Sequence, residues 1–542
     1  MKNLIIVGIF CLGFSPYICE AQYPQILWWY DLDAPSFGSA AVGDIDGDSL
    51  LEIVFGTYFN DENIYSLNAE DGSLKWKFFT NGCNDASPAI ADVDLDNELE
   101  VVVPASSPYH VYCLNGDSGT VEWDVSTGYP NCIDSPPAVA DVDNDGKPEI
   151  ILGTFYGHVF AFNGEDGSIA WHINVGSNSY IQSGPNILDL DDDGTLDVFV
   201  VQWAGDFRVY ALKGEDGSTL WYSDVPQDHM YHGGSFADID EDGKPEIAIG
   251  CYDHHVYVFN DDSTLLWDYT APYYIGAPTA IADLNNDNHL EIVFVSYNRL
   301  GVLSHTGDSL LWSYTTSGNM FRGAAIADIN GDGILDVAFG SDDGILRVLS
   351  GNDGQEIWTY DLEAHYGQTF EMGQAPVIAD FDGDGKLDIF IIGGYATSSQ
   401  PQNNHGRAYA LAAGDGTGPG WPMFRHDLRH SACFHGPMGV EEKQDEKIEV
   451  IKYAFLQSHP NPFNKITDIR FQIPVSGRTT VKVYNVAGAI VRTLVDEYKE
   501  KGYYAVKWDR RNDEGRLIPA GMYFCKLKTA VYTKTRKLVV IQ

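Results

Sequence analysis

An aspartate-rich motif recurs eight times in the first four-fifths of this 542-residue chain. The common pattern is an apolar residue and Ala, then Asp-x-Asp-x-Asp-Gly-x-x-Asp/Glu, then an apolar run. Its first aspartates are Asp44, Asp92, Asp141, Asp189, Asp238, Asp283, Asp328 and Asp380, spaced 45 to 52 residues apart. A fixed period of this length is typical of repeat architectures, so the fold must be built from eight similar units.

Each unit holds four short apolar or alternating segments, separated by Gly, Asn and Asp turns. In the third unit these are 149–154, 158–162, 169–171 and 185–188. Segments of this length are typical of strands, and no helix of ten residues fits between them. We therefore predict an all-β chain whose residues 22–435 form a β-propeller, because closing the ring removes exposed sheet edges. Eight blades are expected, and seven with an irregular end is the alternative.

The aspartate loops predict hard-cation sites. Oxygens at positions 1, 3 and 5 surround one side of an ion, the Gly allows the sharp turn, and the acid at position 9 completes the shell. Calcium favours six to eight such oxygens. We expect up to eight structural calcium ions. Their candidate ligands are Asp44, Asp46, Asp48, Glu52, Asp92, Asp94, Asp96, Glu100, Asp141, Asp143, Asp145, Glu149, Asp189, Asp191, Asp193, Asp197, Asp238, Asp240, Asp242, Glu246, Asp283, Asn285, Asp287, Glu291, Asp328, Asn330, Asp332, Asp336, Asp380, Asp382, Asp384 and Asp388. The loop at Asp283, where Asn285 and Asn288 replace an acid and the Gly, is expected to be the weakest.

A tryptophan lies in the third segment of every unit. These residues are Trp76, Trp123, Trp171, Trp221, Trp267, Trp312, Trp358 and Trp421. Large flat side chains at one repeated position predict packing between neighbouring blades. Trp29 begins a ninth such segment before the first loop, and we expect it to supply an outer strand to the last blade. Trp421 competes for that place.

The charge is divided unevenly. The chain carries 33 Lys+Arg and 78 Asp+Glu, a formal net charge of -45. Residues 1–440 account for -52, whereas residues 441–542 carry +7. A surface this acidic repels phosphate backbones and anionic lipids. Nucleic acid partners are therefore not expected. The charged stretch 436–452 is expected to be a linker.

The N-terminus predicts export. Lys2, the apolar run 4–14 and the Cys19-Glu20-Ala21 site indicate a signal peptide over residues 1–21. No later stretch predicts a transmembrane span. Six further cysteines are too few for a disulfide framework, although Cys83 and Cys132 occupy equivalent loops and could form a bridge.

The motifs also resemble known families. The aspartate loops resemble the FG-GAP or VCBS calcium-binding propeller repeats also found in integrin α-chains. The Trp-bearing turns, such as the one at 67–76, resemble the docking motif of quinoprotein-like propellers. These resemblances cover roughly residues 26–435 and imply a fold, not an activity.

The C-terminal unit predicts a small antiparallel sandwich over residues 453–542, with strands at 469–473, 480–485, 503–508, 522–527 and 537–541. Its segments 461–464, 483–488, 508–509 and 519–524 resemble an FlgD-type immunoglobulin-like sorting domain of type IX secretion. That resemblance implies contact with secretion machinery and a secreted or outer-surface location.

The face opposite the aspartate loops is the expected ligand face. Its candidates are Tyr129, Tyr180, His229, Tyr231, His232, Tyr273, Tyr274, Phe321, Arg322, His365 and Tyr366. No catalytic motif of a hydrolase elbow, zinc protease or phosphate loop occurs, so a non-catalytic protein that binds a glycan or protein is favoured. The alternatives are a polysaccharide-active enzyme, lyase-like in the manner of some calcium-rich propellers, and a quinone-dependent dehydrogenase.

Overall fold

The computed structural model describes residues 23–106, 109–129, 132–176, 178–423, 426–427, 456–459, 463, 465–473, 477–485, 490–499, 502–529 and 533–541. The signal peptide at 1–21 and the linker at 436–452 lie outside these ranges. The chain divides into two compact units, Met1–Glu442 and Lys443–Gln542.

Short strands make up nearly all of the regular secondary structure that the structure describes in the first unit. They are β1 (Gln25–Leu32), β2 (Ala41–Gly43), β3 (Glu52–Gly56), β4 (Asn63–Asn68), β5 (Leu74–Phe79), β6 (Ala89–Ala91), β7 (Glu100–Ala105), β8 (His110–Asn115), β9 (Val121–Ser126), β10 (Ala138–Ala140), β11 (Glu149–Gly153), β12 (His158–Asn163), β13 (Ile169–Asn174), β14 (Asn186–Leu188), β15 (Asp197–Val201), β16 (Val209–Lys213), β17 (Thr219–Ser223), β18 (Ser235–Ala237), β19 (Glu246–Gly250), β20 (His255–Phe259), β21 (Leu265–Thr270), β22 (Ala280–Ala282), β23 (Glu291–Ser296), β24 (Arg299–Leu303), β25 (Leu310–Thr315), β26 (Ala325–Asp328), β27 (Asp336–Phe339), β28 (Ile345–Ser350), β29 (Glu356–Asp361), β30 (Val377–Ala379), β31 (Leu387–Tyr395), β32 (His405–Gly414) and β33 (Thr417–Trp421). A five-residue helix, α1 (Leu362–Tyr366), and a 3-10 turn at Pro401–Asn403 interrupt them.

These strands form antiparallel sheets, one for each aspartate repeat. Sheets 1 to 6 each take four consecutive strands, from β2–β5 through β22–β25. Sheet 7 has the order β29-β28-β27-β26-β33, and sheet 8 has the order β1-β32-β31-β30. The first strand of sheet 1, β2, contacts both β6 of sheet 2 and β30 of sheet 8. The all-β propeller expected from the repeats is therefore confirmed.

The N-terminal strand closes the ring. β1 pairs antiparallel with β32, so the chain's first strand is the outer strand of the last sheet. β33, which ends at Trp421, pairs instead with β26, the innermost strand of sheet 7. The competition between the two segments is thus resolved in favour of the N-terminal one.

Tryptophans link neighbouring sheets, as the repeat predicts. The indole Nε1 of Trp123 donates 2.7 Å to the carbonyl of Gly164, and that of Trp171 donates 2.6 Å to the carbonyl of Gly214. In the ring-closing strand the residue in this position is Trp28, which donates 2.7 Å to Ala69, whereas Trp29 is 51% exposed. The assignment to Trp29 was wrong by one residue. A register irregularity between Ile26 and Trp28 sets which side chain faces inward, and a one-residue slip reverses the face.

The second unit forms two antiparallel sheets. Its strands are β34 (Leu456–His459), β35 (Thr467–Ile473), β36 (Gly477–Asn485), β37 (Ile490–Lys499), β38 (Gly502–Trp508), β39 (Gly521–Lys528) and β40 (Thr533–Val540). The sheet orders are β34-β35-β38 and β37-β36-β39-β40. Trp508, Phe471 and Val481 are buried in the core that the two sheets share. The sequence prediction missed β34 and β37, because the mixed charges of β37 hide its alternation.

Candidate metal centres and central opening

Each aspartate loop joins the first strand of a sheet to its second. We number its residues from the first aspartate, so that in the third loop Asp141 is position 1 and Glu149 is position 9. There, the N–H of Val142 donates 3.0 Å to Glu149, and the N–H of Gly146 donates 3.0 Å to Asp141. The N–H groups of Asp145 and Lys147 donate to the carboxylates at positions 3 and 5 at 3.0 Å and 2.9 Å.

The same four hydrogen bonds recur in all eight loops. Position 2 donates to position 9, position 6 to position 1, position 5 to position 3, and position 7 to position 5. The two asparagines at position 3 accept as the aspartates do. Backbone N–H groups therefore hold all four acidic positions in place before any ion is considered.

Two loop positions have left-handed backbone. Position 6 has positive φ in every loop, including the loops where Ser49, Asn97 and Asn288 replace Gly. Position 4 is left-handed in every loop as well, and Leu95 there has a φ of 65°. Because non-glycine residues resist this conformation, the loop geometry prevails over local preference. The sequence analysis recognised position 6 and missed position 4.

The position-9 acid of every loop is buried at the start of the second strand, no more than 2% exposed. Burial raises the pKa of these carboxyls to about 6 at Asp197, about 7 at Glu52, Glu246, Glu291, Asp336 and Asp388, and about 8 at Glu100 and Glu149. A buried carboxylate is costly to ionise unless a cation or strong donors offset its charge.

Several loop oxygens point inward without a partner. The buried Oδ1 atoms of Asp44, Asp238, Asp336 and Asp380 and the buried Oε1 of Glu100 have no hydrogen-bond partner among the residues that the structure describes. Three acidic side chains each place an oxygen within 4.8 Å of the other two in the loops beginning at Asp44, Asp92, Asp141, Asp189 and Asp238. Buried polar atoms are normally satisfied, so oxygens clustered in this way fit a bound cation.

The loops differ in what approaches them from the fourth strand of the same sheet. In sheet 1 the Lys75 ammonium contacts Asp46 and lies 4.0 Å from Glu52. In sheet 2 the corresponding residue is Glu122; burial and the neighbouring Asp94 raise its pKa, although Asn115 opposes this by hydrogen bonding. The first loop therefore has its own positive charge, and the second has a fifth carboxylate nearby. In the loop at Asp283, the Asn285 amide donates 3.0 Å to Glu291, so one ligand oxygen is already engaged.

All eleven ligand-face candidates lie in connections that precede an innermost strand, and seven of them contact one another or common neighbours. Tyr231 lies 4.9 Å from Phe321 and 4.7 Å from His232, measured between ring centroids. Trp203 was not among the candidates predicted from the sequence, but its ring contacts those of Tyr180, His229 and Tyr231. The row continues through Tyr252 to Tyr274, and Tyr273 lies beside it against Tyr297.

Three other candidates, Tyr129, His365 and Tyr366, contact residues outside this group. Tyr129 stacks on His158 at 3.9 Å. His365 lies 3.0 Å from the Tyr409 hydroxyl, and the Arg407 guanidinium lies 4.6 Å from the Tyr366 ring, beside the outer strands of sheet 8. These residues do not join the group around Tyr231.

Charged side chains meet at the central opening, and the sequence analysis noticed only one of them. The residue seven places before each first aspartate precedes an innermost strand, at the end away from the loop. These residues are Phe37, Asp85, Asp134, Gln182, Tyr231, Gly276, Phe321 and Gly373. Arg322 follows Phe321 and donates 3.2 Å to the backbone carbonyl of Asp85, so a side chain from sheet 7 reaches sheet 2.

The polar groups of this opening influence one another. Burial raises the pKa of Tyr231. The nearby Asp85 and Asp134 carboxyl groups raise it further, whereas Arg322 and Gln182 oppose the shift. Burial likewise raises the pKa of Asp85 well above its usual range, with Asp134 adding to the effect and Arg322 opposing it. Side chains from five different sheets are therefore within electrostatic reach of one another.

Comparisons with known proteins agree with this architecture. Residues 189–249, 283–339 and 328–391 match the FG-GAP-like repeat, and residues 25–191 match the PQQ-like repeat model of outer membrane protein assembly factor BamB. Residues 457–541 match the secretion system C-terminal sorting domain. No curated protein sequence matches the chain.

Solved structures share the fold at low identity. The Vibrio cholerae biofilm matrix protein Bap1 is 15% identical with a TM-score of 0.54, over 72% of this chain and 91% of that one. The Pseudomonas putida quinohemoprotein alcohol dehydrogenase ADHIIG is 13% identical with a TM-score of 0.53, over 73% and 77%. Within the described residues, neither helix is long and apolar enough to cross a bilayer. The chain is thus an all-β propeller with segments that match FG-GAP-like and PQQ-like repeats, followed by a unit that matches the secretion system C-terminal sorting domain.

Proposed function

We propose that the chain is an exported, calcium-stabilised propeller that binds an extracellular glycan or protein without catalysing a reaction. The observation that carries the calcium assignment is the set of unpartnered, buried carboxylate oxygens in the loops, such as Oδ1 of Asp238 and Oε1 of Glu100. Calcium accepts oxygen ligands in variable geometry, whereas magnesium demands near-octahedral geometry, so loops with only oxygen ligands suit calcium better.

The calcium ions have a structural role in this proposal. The loops hold their acids with backbone donors, and the ions neutralise carboxylates that burial would otherwise keep protonated. Because an ion that binds only the folded state stabilises it, the ring is rigid when loaded. Up to eight ions bind, with the Asp283 loop the weakest.

Export is supported by the C-terminal match, and the location is the cell surface or the medium. The sorting domain would present the chain to the type IX secretion machinery, and the signal peptide at 1–21 would direct it across the inner membrane. Deleting residues 453–542 tests this assignment: we expect the truncated protein to accumulate inside the cell, and its normal appearance outside would contradict it.

The ligand face of the proposal is the surface around Tyr231 and Trp203. Rigid aromatic rings beside polar groups on connections between strands are a common arrangement for binding. Retention of the purified, calcium-loaded protein on immobilised glycans or on cell-surface fractions tests this function. No retention on either would contradict it.

A second candidate function is polysaccharide cleavage. The observation that favours it is the pair of carboxyl groups, Asp85 and Asp134, in one opening, since sugar-cleaving enzymes use paired carboxyls. Incubation of the protein with a polysaccharide that it binds, followed by assays for new reducing ends and for unsaturated products, separates cleavage from binding. The quinone-dependent dehydrogenase is the remaining alternative. Under the binding proposal, we expect the purified protein to show no quinone absorbance and no dehydrogenase turnover.

A further inference from the structure

The central opening contains a built polar cluster, which we define as Asp85, Asp134, Gln182 and Arg322. The Gln182 amide nitrogen donates 2.9 Å to Oδ2 of Asp134, and the Ser106 hydroxyl donates to Oδ1. Asp134 is 9% exposed and Gln182 is 8% exposed. Both side chains are therefore held in fixed positions by partners that belong to neighbouring sheets.

Two acceptor atoms of this cluster lack partners. The Oε1 of Gln182 and the Oδ1 of Asp85 are buried and accept no hydrogen bond from any residue that the structure describes. An unsatisfied buried acceptor costs roughly 1–3 kcal/mol, so such atoms call for an explanation. Two acceptors in one opening match a ligand that brings donors.

Aromatic rings border the same cluster. Tyr231 and Phe321 meet edge to face with ring centroids 4.9 Å apart, and the Tyr231 ring centroid lies 6.0 Å from that of Trp203. Both Tyr231 and Phe321 are half-buried, so part of each ring reaches solvent. The Trp203 indole Nε1 is also buried, has no partner in the described part of the chain, and offers a donor. Ring faces next to polar groups suit the apolar C–H face and the hydroxyl edge of a sugar.

The charge pattern selects among ligand classes. Arg322 already places a cation in the opening, so the cluster does not offer a purely acidic cage to a metal ion or an amine. The negative charge of the first 440 residues disfavours polyanionic glycans. Hydroxyl groups are uncharged donors and acceptors, and they satisfy both sets of atoms.

We propose that the central cluster, together with Tyr231, Phe321 and Trp203, binds one unit of a neutral, hydroxyl-rich polysaccharide. Gln182 and Asp85 accept hydrogen bonds from sugar hydroxyls, Arg322 donates to a hydroxyl or ring oxygen, and the aromatic rings support the sugar face. This inference rests on the proposed binding function and assigns its ligand class and its site.

Calorimetric titration tests the site. The probes are neutral gluco-, manno-, galacto- and xylo-oligosaccharides of about four to six units, with oligogalacturonate as the anionic comparison. For the calcium-loaded full chain we expect binding of at least one neutral probe and weaker binding of oligogalacturonate. No binding of any neutral probe, or tighter binding of oligogalacturonate, would overturn the ligand class.

Variants locate the binding. Gln182→Met nearly preserves volume while removing one acceptor and the donor to Asp134, and Arg322→Met removes the guanidinium. Each is expected to weaken binding roughly tenfold or more, because partners are left unsatisfied. Asp224→Asn, at an exposed carboxylate outside the cluster, is the control and is expected to bind as the wild type does.

Melting curves and near-UV circular dichroism confirm that each variant is folded. If one of the two fails to fold, the other carries the test, because they remove different groups. Unchanged binding of a neutral probe by a folded variant would overturn the central site while leaving the general binding function in place. Retention on protein ligands but on no glycan would overturn the inference in the same way.

Discussion

The indole Nε1 of Trp76 donates a 2.7 Å hydrogen bond to the carbonyl of Gly116, which lies in the neighbouring sheet. The Trp76 ring also lies against Gly119, where an added Cβ would meet ring carbons at 2.6 Å. Equivalent bonds join Trp28 to Ala69 and Trp312 to Gly351. The bond and the ring contact fix the outer edges of consecutive sheets to each other.

Replacing Gly119 tests this contact between sheets. Gly119→Ala introduces a side chain against the Trp76 ring at a residue whose φ is 67°, so both a clash and backbone strain are expected. Gly128→Ala, with a φ of 74° and nothing within 4 Å, introduces the strain alone. We expect Gly119→Ala to lower the free energy of unfolding by about 2–3 kcal/mol and Gly128→Ala by about 1 kcal/mol. Equal losses in denaturant titrations would show that the ring contact is dispensable.

Lys75 is predicted to weaken calcium binding in the first loop. Its ammonium contacts Asp46 and lies 4.0 Å from Glu52, so a divalent ion must share these carboxylates with a positive charge. Lys75→Leu is expected to lower the calcium concentration needed for half-maximal thermal stabilisation. Glu122→Leu, the matched change beside the second loop, is expected to raise it, because a nearby negative charge is lost. Shifts of the same sign in both variants would refute this electrostatic account.

Glu149→Gln should destabilise the protein when calcium is bound and have little effect on its stability when calcium is absent. Burial raises the pKa of Glu149 to about 8, so at pH 7 the ion-free carboxyl is mostly protonated and a neutral amide replaces it with little loss. With calcium present the carboxylate is a ligand, and we expect a loss of about 2–3 kcal/mol at an ion concentration near 100 times its dissociation constant.

Glu165→Gln is the control for this variant, because Glu165 is an exposed acid of the same sheet that pairs with Lys147. Melting temperatures in calcium and in chelator, measured on both variants, check the prediction. A Glu149→Gln protein that is equally destabilised in both conditions would show that the carboxyl has only a packing role.

The ion pair of Asp343 and Arg347 predicts a dependence on pH. The two side chains are 9% and 6% exposed, and their closest charged atoms are 2.8 Å apart. Burial acts to raise the pKa of Asp343, but hydrogen bonds from Arg347, Ser341 and Ser317 outweigh it and hold the pKa well below its usual range. Because the folded pKa is depressed, the stabilisation is complete above the unfolded pKa of about 4 and is lost as the pH falls toward the folded value.

Asp343→Asn leaves Arg347 buried without its counter-charge and is expected to cost about 3 kcal/mol at pH 6. The difference between wild type and variant should shrink as the pH falls below about 4. Urea unfolding of both proteins at several pH values measures this difference. A gap that stays constant or widens toward acid would contradict the assignment.

Much of the fold could be predicted from the repeat. The spacing of the acids fixed the loops, and the four apolar segments fixed the strands of each sheet. The choice between Trp28 and Trp29 could not be made, because it depends on a register irregularity in β1 that has no signal in the sequence. Left-handed backbone at Leu95 was equally hidden, since leucine gives no hint of it.

The central cluster was missed for a different reason. Asp85, Asp134 and Gln182 are about 50 residues apart and share no motif, and only ring closure brings them together with Arg322. Their common place seven residues before a first aspartate was a usable signal. It becomes meaningful once the repeat is known to run around a closed ring, where equivalent positions converge.

Thermal melting of the wild-type protein with calcium and after complete chelation tests the central claim most directly. Eight loops that hold buried carboxylates should make the ring depend on bound ions, so chelation is expected to lower the melting temperature by ten degrees or more, on the order of several kcal/mol. Readdition of calcium should restore it. An unchanged melting temperature after chelation, with metal analysis confirming that no ion remains, would contradict the structural role of the loops.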